Sequence, residues 1–459
     1  MDAFVIQGGR RLRGRIRING SKNASLPQMA AALLTDEPIT LLDVPELSDI
    51  ANMNRLLESL GCKTEHAEHR LKIHAADPEP VEAHYDIVRT MRASICTLGP
   101  LLAKRGKAKV SMPGGCNIGD RPVDLHLRGL KALGAEIHLE SGYIIASTPA
   151  GGRLIGARVF LGGPFGSTVL GTANVMSAAT LATGTTIIEC AACEPEVADL
   201  ADLLNAMGAK ITGAGSPRIT IEGVDSLKGA THSVIADRIE AGTYIMAAAI
   251  TNSDVVLENC PTDALLATLD RLDEIGVHVE PVMDELVTTP TKGGGPKQKK
   301  QSGKGTSVKH NSDGMRQTVR VVTARRFEPV QVVTQPHPGF PTDLQAQIMS
   351  LLCLAEGNSI ITEKIYPDRF THVAELARMN ASVSRNGPSV LVSGVHHLEG
   401  APVMASDLRA SAGLVIAGLA AKGTTTINRV YHIDRGYERM EVTLQKLGAQ
   451  IERVKQPGG

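Results

Sequence analysis

The segment 113–124 combines residue types that could do chemistry at the tip of a loop. Glycines on both sides of Cys116 let the backbone turn tightly and hold the thiol outside a core. Arg121 lies five residues further on, where a guanidinium can favour the thiolate or bind an anionic ligand. The segment therefore predicts a reactive loop, and the alternative is a glycine turn whose cysteine only packs.

Polar clusters also stand where buried helices are predicted to begin. Free backbone N–H groups and the positive end of the helix dipole attract phosphates, and a lysine or arginine beside them strengthens the attraction. Each cluster alone could be an N-cap or a surface pair, but recurrence at equivalent places predicts a shared anion site. The clusters are Ser21-Lys22-Asn23, Met91-Arg92-Ala93, Asp237-Arg238-Ile239-Glu240, Pro341-Thr342-Asp343 and Asp407-Leu408-Arg409.

An internal repeat organises the elements that carry these residues. An amphipathic helix closed by a glycine, or by an asparagine in the fifth copy, recurs six times, with spacings of 73, 74, 68, 104 and 68 residues between the closing positions. The long spacing falls to about 73 when a roughly 30-residue insertion is removed. The closing positions are Gly61, Gly134, Gly208, Gly276, Asn380 and Gly448.

Each unit also holds a short strand and, before it, a helix that is apolar on nearly every face and should be buried. Three units sharing a core would make one domain, so six predict two domains with a boundary near Val234 and a ligand cleft between them. The predicted strands are 39–44, 108–112, 185–189, 254–258, 359–362 and 424–428, and the buried helices are 26–34, 93–103, 173–182, 241–250, 344–355 and 410–421.

Composition limits the class of partner. The 459 residues are 42% hydrophobic, which suffices for large cores and exceeds one compact domain. The 48 basic and 48 acidic residues cancel and aromatics are only 3%, so neither nucleic acid nor a membrane is the expected partner. The chain has no signal-like start and no apolar run long enough to span a bilayer, which predicts a cytoplasmic protein.

Cysteine usage and sequence motifs exclude several chemistries. Seven cysteines suit a reducing compartment, and the C-x-x-C pair Cys190 and Cys193 lacks the further ligands of a zinc site, so no metal is expected. Walker, H-E-x-x-H and G-x-S-x-G motifs are absent from the sequence, and Gly213-Ala214-Gly215 lacks the third glycine of a dinucleotide fingerprint.

Two basic segments have simple structural interpretations. The insertion, which we place at 288–317, holds six lysines and six glycines but one clearly apolar residue, Val308, between positions 288 and 314. That composition predicts a disordered surface loop, with a basic arm for an anionic partner as the alternative. The arginines from 10 to 17 alternate with Leu12, Ile16 and Ile18, which predicts a strand with a solvated charged face.

Taken together, these segments resemble the UDP-N-acetylglucosamine 1-carboxyvinyltransferase family, and the resemblance runs from the first residue to Val454. The motif P-G-G-C-x-I-G-x-R-P-V-D-L-H is highly specific. The resemblance implies the α/β enolpyruvyl transferase fold, with two inside-out α/β domains that each contain three repeated βαβαββ-type units. The first domain would cover 22–233, and the second would combine 1–21 with 234–459. The matching segments are 21–27, 91–94, 113–126, 340–347, 407–411 and 432–439.

The resemblance also implies an activity and a set of site residues. The reaction transfers the enolpyruvyl group of phosphoenolpyruvate to the 3-hydroxyl of UDP-N-acetylglucosamine with release of phosphate, needs no cofactor, and is the first committed step of peptidoglycan synthesis. Cys116 matches the proton donor, which fosfomycin alkylates, and Asp343 is positioned to take the hydroxyl proton. Lys22, Arg121 and Arg435 match residues that neutralise phosphoenolpyruvate. The predicted substrate contacts are Lys22, Asn23, Arg92, Arg121, Pro122, Val123, Asp124, Leu125, Asp343, Ile365 and Arg409.

The sequence departs from the family pattern in two places, and three other functions are alternatives. Many relatives hold a lysine in the loop that contacts the uridine diphosphate, whereas residues 163–171 contain none, and the lysine-rich insertion lies outside every matched motif. The rivals are the sister enzyme acting on shikimate 3-phosphate, a silent nucleotide-sugar sensor and a nucleic-acid binder. The family of the shikimate enzyme lacks the P-G-G-C loop, which argues against that function. A silent sensor has no need of Cys116, Asp343 and Lys22 together, which argues against the second. A salt-dependent gel shift would reveal the third.

Overall fold

The computed structural model describes residues 2–113, 123–149, 152–282, 314–323 and 326–455. The described helices are α1 (Lys22–Ala31), α2 (Ser48–Ser59), α3 (Tyr85–Val88), α4 (Leu98–Arg105), α5 (Asp124–Ala132), α6 (Val169–Ala179), α7 (Pro195–Ala206), α8 (Arg238–Ile250), α9 (Leu266–Ile275), α10 (Gln345–Leu352), α11 (His372–Arg378), α12 (Leu408–Ala420) and α13 (Met440–Lys446). Short 3₁₀ helices are Ala32–Leu34, Arg92–Thr97, Thr262–Leu265, Thr342–Leu344 and Val430–Arg435.

The strands in the described part of the chain are short. They are β1 (Asp2–Gln7), β2 (Arg13–Arg17), β3 (Ile39–Leu42), β4 (Cys62–Ala67), β5 (Arg70–Ala75), β6 (Glu82–Ala83), β7 (Lys107–Ser111), β8 (Glu136–Glu140), β9 (Tyr143–Ser147), β10 (Arg158–Phe160), β11 (Gly162–Gly163), β12 (Gly166–Ser167), β13 (Thr185–Glu189), β14 (Lys210–Thr212), β15 (Arg218–Glu222), β16 (Thr231–Ser233), β17 (Asp254–Cys260), β18 (Val277–Pro281), β19 (Gln317–Thr323), β20 (Gln331–Val333), β21 (Asn358–Thr362), β22 (Ser382–Asn386), β23 (Ser389–Ser393), β24 (Pro402–Met404), β25 (Thr424–Asn428) and β26 (Gln450–Lys455).

The six sequence repeats correspond to six four-stranded sheets among the described residues. Every sheet has the same pairing, one parallel pair followed by two antiparallel pairs. This identity of pairing confirms the predicted repeat. The strand orders are β16-β3-β5-β4, β6-β7-β9-β8, β10-β13-β15-β14, β2-β17-β19-β18, β20-β21-β23-β22 and β24-β25-β1-β26.

The closing residue of each amphipathic helix adopts the left-handed conformation that the repeat predicts. Five of the six positions are glycine, which reaches a positive φ without a steric penalty. The sixth, Asn380, has a φ of 68°, a region that asparagine tolerates better than most residues. The glycine φ values are 84° at Gly61, 88° at Gly134, 103° at Gly208, 94° at Gly276 and 93° at Gly448.

The helices lie inside and the sheets outside, as the resemblance implies. The helix α8 is buried over its whole length and α12 over nearly all of it, because neither has a polar face. Two predicted buried helices begin differently. Their first turns are the 3₁₀ helices 92–97 and 342–344, where the backbone tightens before α4 and α10.

The described apolar side chains form two cores. One core runs from Ala24 to Val234, and the other joins residues from Phe4 to Ile18 with residues from Ala236 to Ile451. On this basis we propose the division into a first half, 22–233, and a second half that combines 1–21 with 234–459.

The chain passes between the halves twice, and the two crossings lie side by side. Gly20 and Ala236 form an antiparallel bridge. The amide of Ser21 donates to the carbonyl of Ile235 (2.7 Å), and the amide of Asp237 donates to the carbonyl of Asn19 (2.8 Å). The crossings thus satisfy each other's backbone groups where they leave the cores.

The basic insertion, predicted at 288–317, lies outside the described residues except for 314–317 at its carboxyl end, where we propose that it ends at 313. Gly314 accepts hydrogen bonds from the amide of Asp263 (3.1 Å) and the hydroxyl of Thr262 (3.0 Å). The strand β19 then begins at Gln317. These contacts fix Gly314 to the second half, which supports that bound.

The amino-terminal arginines lie partly on a strand, as predicted. In β2 the side chain of Ile16 is buried, whereas Arg13, Arg15 and Arg17 are exposed. Arg15 pairs with Glu258 across the parallel neighbour (2.8 Å), which agrees with a solvated charged face. None of the helices in the described ranges has the length and apolar character needed to cross a membrane.

Candidate functional site

Asp343 lies at the junction of the halves, in the 3₁₀ turn before α10. Each carboxylate oxygen binds a different arginine: Arg369 Nη1 donates to Oδ1 (2.7 Å) and Arg409 Nη2 donates to Oδ2 (3.1 Å). Burial alone would raise the pKa of Asp343, but Arg409 and Arg369 hold the pKa well below its usual value. Asp343 is therefore an ionised hydrogen-bond acceptor at neutral pH.

Arg409 lies beneath Asp343 rather than in open space. Its guanidinium is almost fully buried, and besides binding Asp343 it donates to the hydroxyl of Tyr437 (3.2 Å). That hydroxyl also bonds to Thr243 (2.9 Å) and accepts from Gln347 Nε2 (3.2 Å). The network ties together α8, α10 and α12, so Arg409 holds Asp343 in place while its own position is fixed by the core.

A second carboxylate, Asp49, is shared by two predicted site residues. Lys22 Nζ donates to Asp49 Oδ2 (3.2 Å), and Arg435 Nε donates to Oδ1 (3.0 Å). Burial would raise the pKa of Asp49, but the charges of Lys22 and Arg435 lower it. Lys22 begins α1 of the first half and Arg435 ends the 3₁₀ helix 430–435 of the second, so one carboxylate gathers cations from both halves.

Four of the five predicted polar clusters, those at 21–23, 237–240, 341–343 and 407–409, lie together at this junction. The carboxylate of Asp237 caps α8 by accepting from the amides of Ile239 (2.9 Å) and Glu240 (3.0 Å), and it also accepts from the amide of Lys22 (3.3 Å). Lys22 is close enough to Asp343 to help lower its pKa. The starts of α1 and α8 therefore face one region, which gathers positive helix ends as anion binding requires.

A buried ion pair spans the halves beside this cluster. Arg238 Nε donates to Glu196 Oε1 (2.9 Å), and both side chains are nearly inaccessible to solvent. Burial would lower the pKa of Arg238, but the neighbouring Glu196 raises it. The pair stays charged and links the start of α7 to the start of α8.

The described part of the glycine motif starts α5. Val123 is buried, Asp124 is exposed and Leu125 is half-buried. A methyl carbon of Leu125 lies 3.1 Å from where a Cβ on Gly163 would stand, so the helix start packs on the hairpin of β11 and β12. Cys116, Arg121 and Pro122 lie outside the described residues.

Arg92 and Asn23 occupy helix starts in the first half. Arg92 begins the 3₁₀ helix before α4 and, after burial, is the second cause that lowers the pKa of His126, to about 3. Neutral His126 can then accept from Asn174 Nδ2 (3.1 Å). Asn23 is half-buried directly after Lys22. Asn23 therefore adjoins the cation cluster through Lys22, whereas Arg92 lies near His126.

A cleft of about 580 Å³ separates the hairpin from the second half. Ile365, a predicted substrate contact, lines it together with Lys364 on the same loop. The other lining residues are Pro164, Phe165, Gly166, Thr334, Gln335, Pro336, Glu363, Pro367 and Pro388. The cleft adjoins the turn of Asp343, because Glu363 accepts from the hydroxyl of Thr342 (2.8 Å).

Sequence reasoning missed Asp49 and Arg369. Asp49 sits in the first turn of an amphipathic helix but is buried, and a buried carboxylate implies a charged partner. Arg369 is equally buried and contacts Asp343 from 26 residues away. The periodicity of a single helix does not report partners from other units, and neither residue lies in a segment that the sequence analysis singled out.

The cysteine pair carries no sign of a metal site. Cys190 and Cys193 are half-buried free thiols, and the described residues contain no group of three or more histidine, cysteine, aspartate or glutamate side chains that could hold an ion. The junction offers an anion site, Lys22 with Arg435, beside an ionised acceptor, Asp343.

Solved structures of known proteins share the fold of this chain. A solved structure of the enolpyruvyl transferase NikO from Streptomyces tendae has a TM-score of 0.82 at 23% identity, covering 99% of both chains. An EPSP synthase from Acinetobacter baumannii has a TM-score of 0.70 at 18% identity, over 99% of this chain and 100% of that one. The family model of EPSP synthase (3-phosphoshikimate 1-carboxyvinyltransferase) matches residues 6–444. The fold is that of the enolpyruvyl transferases, as predicted.

Curated relatives narrow the family. Proteins from Maricaulis maris (50% identical, 99% of each chain), Trichlorobacter lovleyi (49%, 100% of each) and Nitratidesulfovibrio vulgaris (48%, 99% of each) are all named UDP-N-acetylglucosamine 1-carboxyvinyltransferase. The chain belongs to the UDP-N-acetylglucosamine 1-carboxyvinyltransferase family, a family of transferases, which confirms the resemblance found in the sequence.

Proposed function

We propose that this protein transfers the enolpyruvyl group of phosphoenolpyruvate to the 3-hydroxyl of UDP-N-acetylglucosamine and releases phosphate. The observation that carries the proposal is the pairing of Lys22 and Arg435 through Asp49, close to the ionised Asp343. Two cations suit the phosphate and carboxylate of phosphoenolpyruvate, and a carboxylate acceptor suits a sugar hydroxyl. The name shared by the relatives supplies the substrates.

The proposed mechanism has two stages. A proton is added to C3 of phosphoenolpyruvate while the sugar oxygen forms a bond to C2, and Asp343 accepts the proton that this oxygen loses. The tetrahedral intermediate then loses a proton from C3 and breaks its bond to phosphate, which restores the double bond. Cys116 is the proposed proton donor, and Lys22, Arg121 and Arg435 are proposed to neutralise the phosphoenolpyruvate throughout.

The low pKa of Asp343 fits an acceptor that acts late. A carboxylate held by Arg369 and Arg409 is too weak a base to ionise a free hydroxyl. The hydroxyl becomes strongly acidic only as its oxygen bonds to C2, and Asp343 can take the proton at that point. Asp343 thus also orients the hydroxyl before the bond forms.

The remaining substrate contacts are proposed from the family resemblance of their sequence segments. The residues proposed to surround the nucleotide sugar are Asn23, Arg92, Arg121, Pro122, Val123, Asp124, Leu125 and Ile365. Arg409 would contribute by holding Asp343 in place. We further propose that the reaction starts peptidoglycan synthesis in the cytoplasm, that it serves cell shape and division, and that it needs neither cofactor nor metal.

A phosphate-release assay tests the proposal. We expect release only when phosphoenolpyruvate and UDP-N-acetylglucosamine are both present, and inactivation after preincubation with the epoxide fosfomycin and the nucleotide sugar. Shikimate 3-phosphate is the control acceptor, because the family model that matches the chain is named for that reaction. Phosphate release with shikimate 3-phosphate instead of the nucleotide sugar would overturn the proposal.

A further inference from the structure

The cleft between the hairpin and the second half is built from opposed walls. The hairpin of β11 and β12 supplies Phe165 at its tip, a residue that is 56% exposed. The hairpin approaches the second half so closely that a Cβ on Gly166 would lie 2.9 Å from Pro336. The opposite wall is the loop after β21, which carries Lys364 and Ile365. A ligand in this cleft would therefore touch both halves of the molecule.

The backbone around Lys364 is fixed. The fully buried carboxylate of Glu363 accepts from the hydroxyl of Thr334 (2.7 Å) and from the amides of Ile365 (2.8 Å) and Tyr366 (3.0 Å). The amide of Lys364 donates to the same Thr334 hydroxyl (2.9 Å). The carboxylate of Glu363 is thus bonded within its own loop. These bonds fix the backbone from which the side chain of Lys364 extends.

Lys364 itself is exposed, and no acidic group pairs with it among the described residues. Asp368, four residues further on, is taken by Arg385 (3.0 Å). Lys364 is also the basic side chain among the described residues that line the cleft. An unpaired ammonium that extends from a fixed backbone at a cleft can bind an anionic group.

The hairpin wall of the cleft supplies backbone groups rather than charged side chains. Residues 162–171 contain neither lysine nor arginine but have glycine at four positions, so this wall offers close approach of main chain and the ring of Phe165. Among the described residues that line this cleft, the cation, Lys364, comes from the second half. We propose that Lys364 binds the diphosphate of the nucleotide sugar, an inference that rests on the proposed function.

The loop that carries Lys364 is joined to the turn of Asp343 through the carboxylate of Glu363. The diphosphate is attached to C1 of the sugar and the reacting hydroxyl is on C3, so the two groups are separated by about the width of one ring. Glu363, which fixes Lys364, also accepts from Thr342, the residue before Asp343. One buried carboxylate thus ties the loop of the proposed diphosphate contact to the turn of the proposed proton acceptor.

Calorimetry with UDP as the probe tests the assignment directly, since it requires no turnover. We expect Lys364→Met to weaken UDP binding by roughly tenfold, a usual effect of losing one charge-assisted contact, and to leave the weak binding of uncharged uridine unchanged. Lys364→Arg should retain most of the affinity. Lys446→Met, which removes an exposed lysine at the end of α13, is the matched control and should bind UDP as the parent does.

Kinetics supply the second readout. In Lys364→Met the KM for the nucleotide sugar should rise about tenfold while the KM for phosphoenolpyruvate changes less than twofold, because only one substrate carries the diphosphate. A parent that turns over the nucleotide sugar while Lys364→Met binds UDP equally well would overturn this inference alone. Equal losses for UDP and uridine would also overturn it, because they would mean a distorted cleft. A parent that binds no UDP and uses another acceptor would instead refute the proposed function.

Discussion

At the scale of single residues, the site is organised by two carboxylates, each of which lies between two cationic side chains and binds both. Asp343 separates Arg369 from Arg409, and Asp49 separates Lys22 from Arg435. Without a carboxylate between them, the cations of each pair would repel one another in a partly buried space. The two aspartates therefore keep arginine and lysine side chains in place before any substrate anion arrives.

Asp49→Asn should expose this role. Removing the charge leaves Lys22 and Arg435 without their shared counterion, so we expect the free energy of unfolding to fall by about 1–3 kcal/mol and kcat/KM for phosphoenolpyruvate to fall about tenfold. Inorganic phosphate should raise the melting temperature of the variant more than that of the parent, because the anion replaces the missing charge.

Asp368→Asn is the matched control for that experiment. Asp368 also pairs with an arginine, Arg385 (3.0 Å), but on an exposed loop, where an ion pair contributes little. We expect its melting temperature and its response to phosphate to match the parent's. An Asp49→Asn protein that responds to phosphate no more than this control would contradict the view that Asp49 occupies an anion site.

At the scale of elements, the starts of the buried helices carry the charged groups, and α8 shows what burial does to them. Glu240, in its first turn, accepts from the amide of Asn19 (2.8 Å) and from Asn19 Nδ2 (3.1 Å). Burial and the nearby charge of Asp237 raise the pKa of Glu240 to about 8. The first turn of α8 therefore holds a proton at neutral pH beside the crossing between the halves.

This raised pKa predicts a pH dependence of stability. The folded protein keeps the Glu240 proton at pH values where the unfolded chain has lost it. The free energy of unfolding should therefore fall as pH rises from about 4.5 to about 8, and this contribution should be flat above that window. Glu240→Gln should remove that part of the slope and be more stable than the parent at pH 9 by a few kcal/mol.

Denaturant unfolding of both proteins at pH 6 and pH 9 measures the difference. Glu258→Gln is the comparison variant, since Glu258 lies on the outer face of β17 and pairs with Arg15 in solvent. Glu258→Gln removes one carboxylate, as Glu240→Gln does, but it leaves the buried Glu240 unchanged. Parallel pH profiles for the parent and Glu240→Gln would show that Glu240 is ionised in the folded protein.

The elements were predictable from the sequence to the extent that they depend on local patterns. The closing positions from Gly61 to Gly448 marked every amphipathic helix because a positive φ is a property of one residue. The 3₁₀ turns 92–97 and 342–344 were missed, and so were the contacts of Asp49 and Arg369. Those features depend on residues from other units or on small changes in backbone geometry that periodicity does not record.

At the scale of the whole molecule, the repeated units tolerate a long insertion because its ends are joined by a sheet. The strands β18 and β19 pair antiparallel, with Val279 opposite Val321 and Pro281 opposite Val319. The amide of Val282 donates to the carbonyl of Thr318 (2.9 Å). The two ends of the insertion therefore leave a hairpin, a connection that a few residues can close.

Excision of residues 288–313 should accordingly leave the enzyme folded and active. Joining Val287 to Gly314 keeps the bonds from Thr262 and Asp263 to Gly314 and leaves enough chain for a hairpin loop. We expect phosphate release within about threefold of the parent and a melting temperature that is equal or slightly higher, because a shorter loop costs less entropy to close. A full-length variant with the six lysines of the insertion changed to glutamine separates charge from length. If both variants stay folded but lose most of their activity, the basic arm takes part in function. A loss confined to the excision variant would mean that length is what matters, and the view that the insertion is dispensable would have to be abandoned in either case.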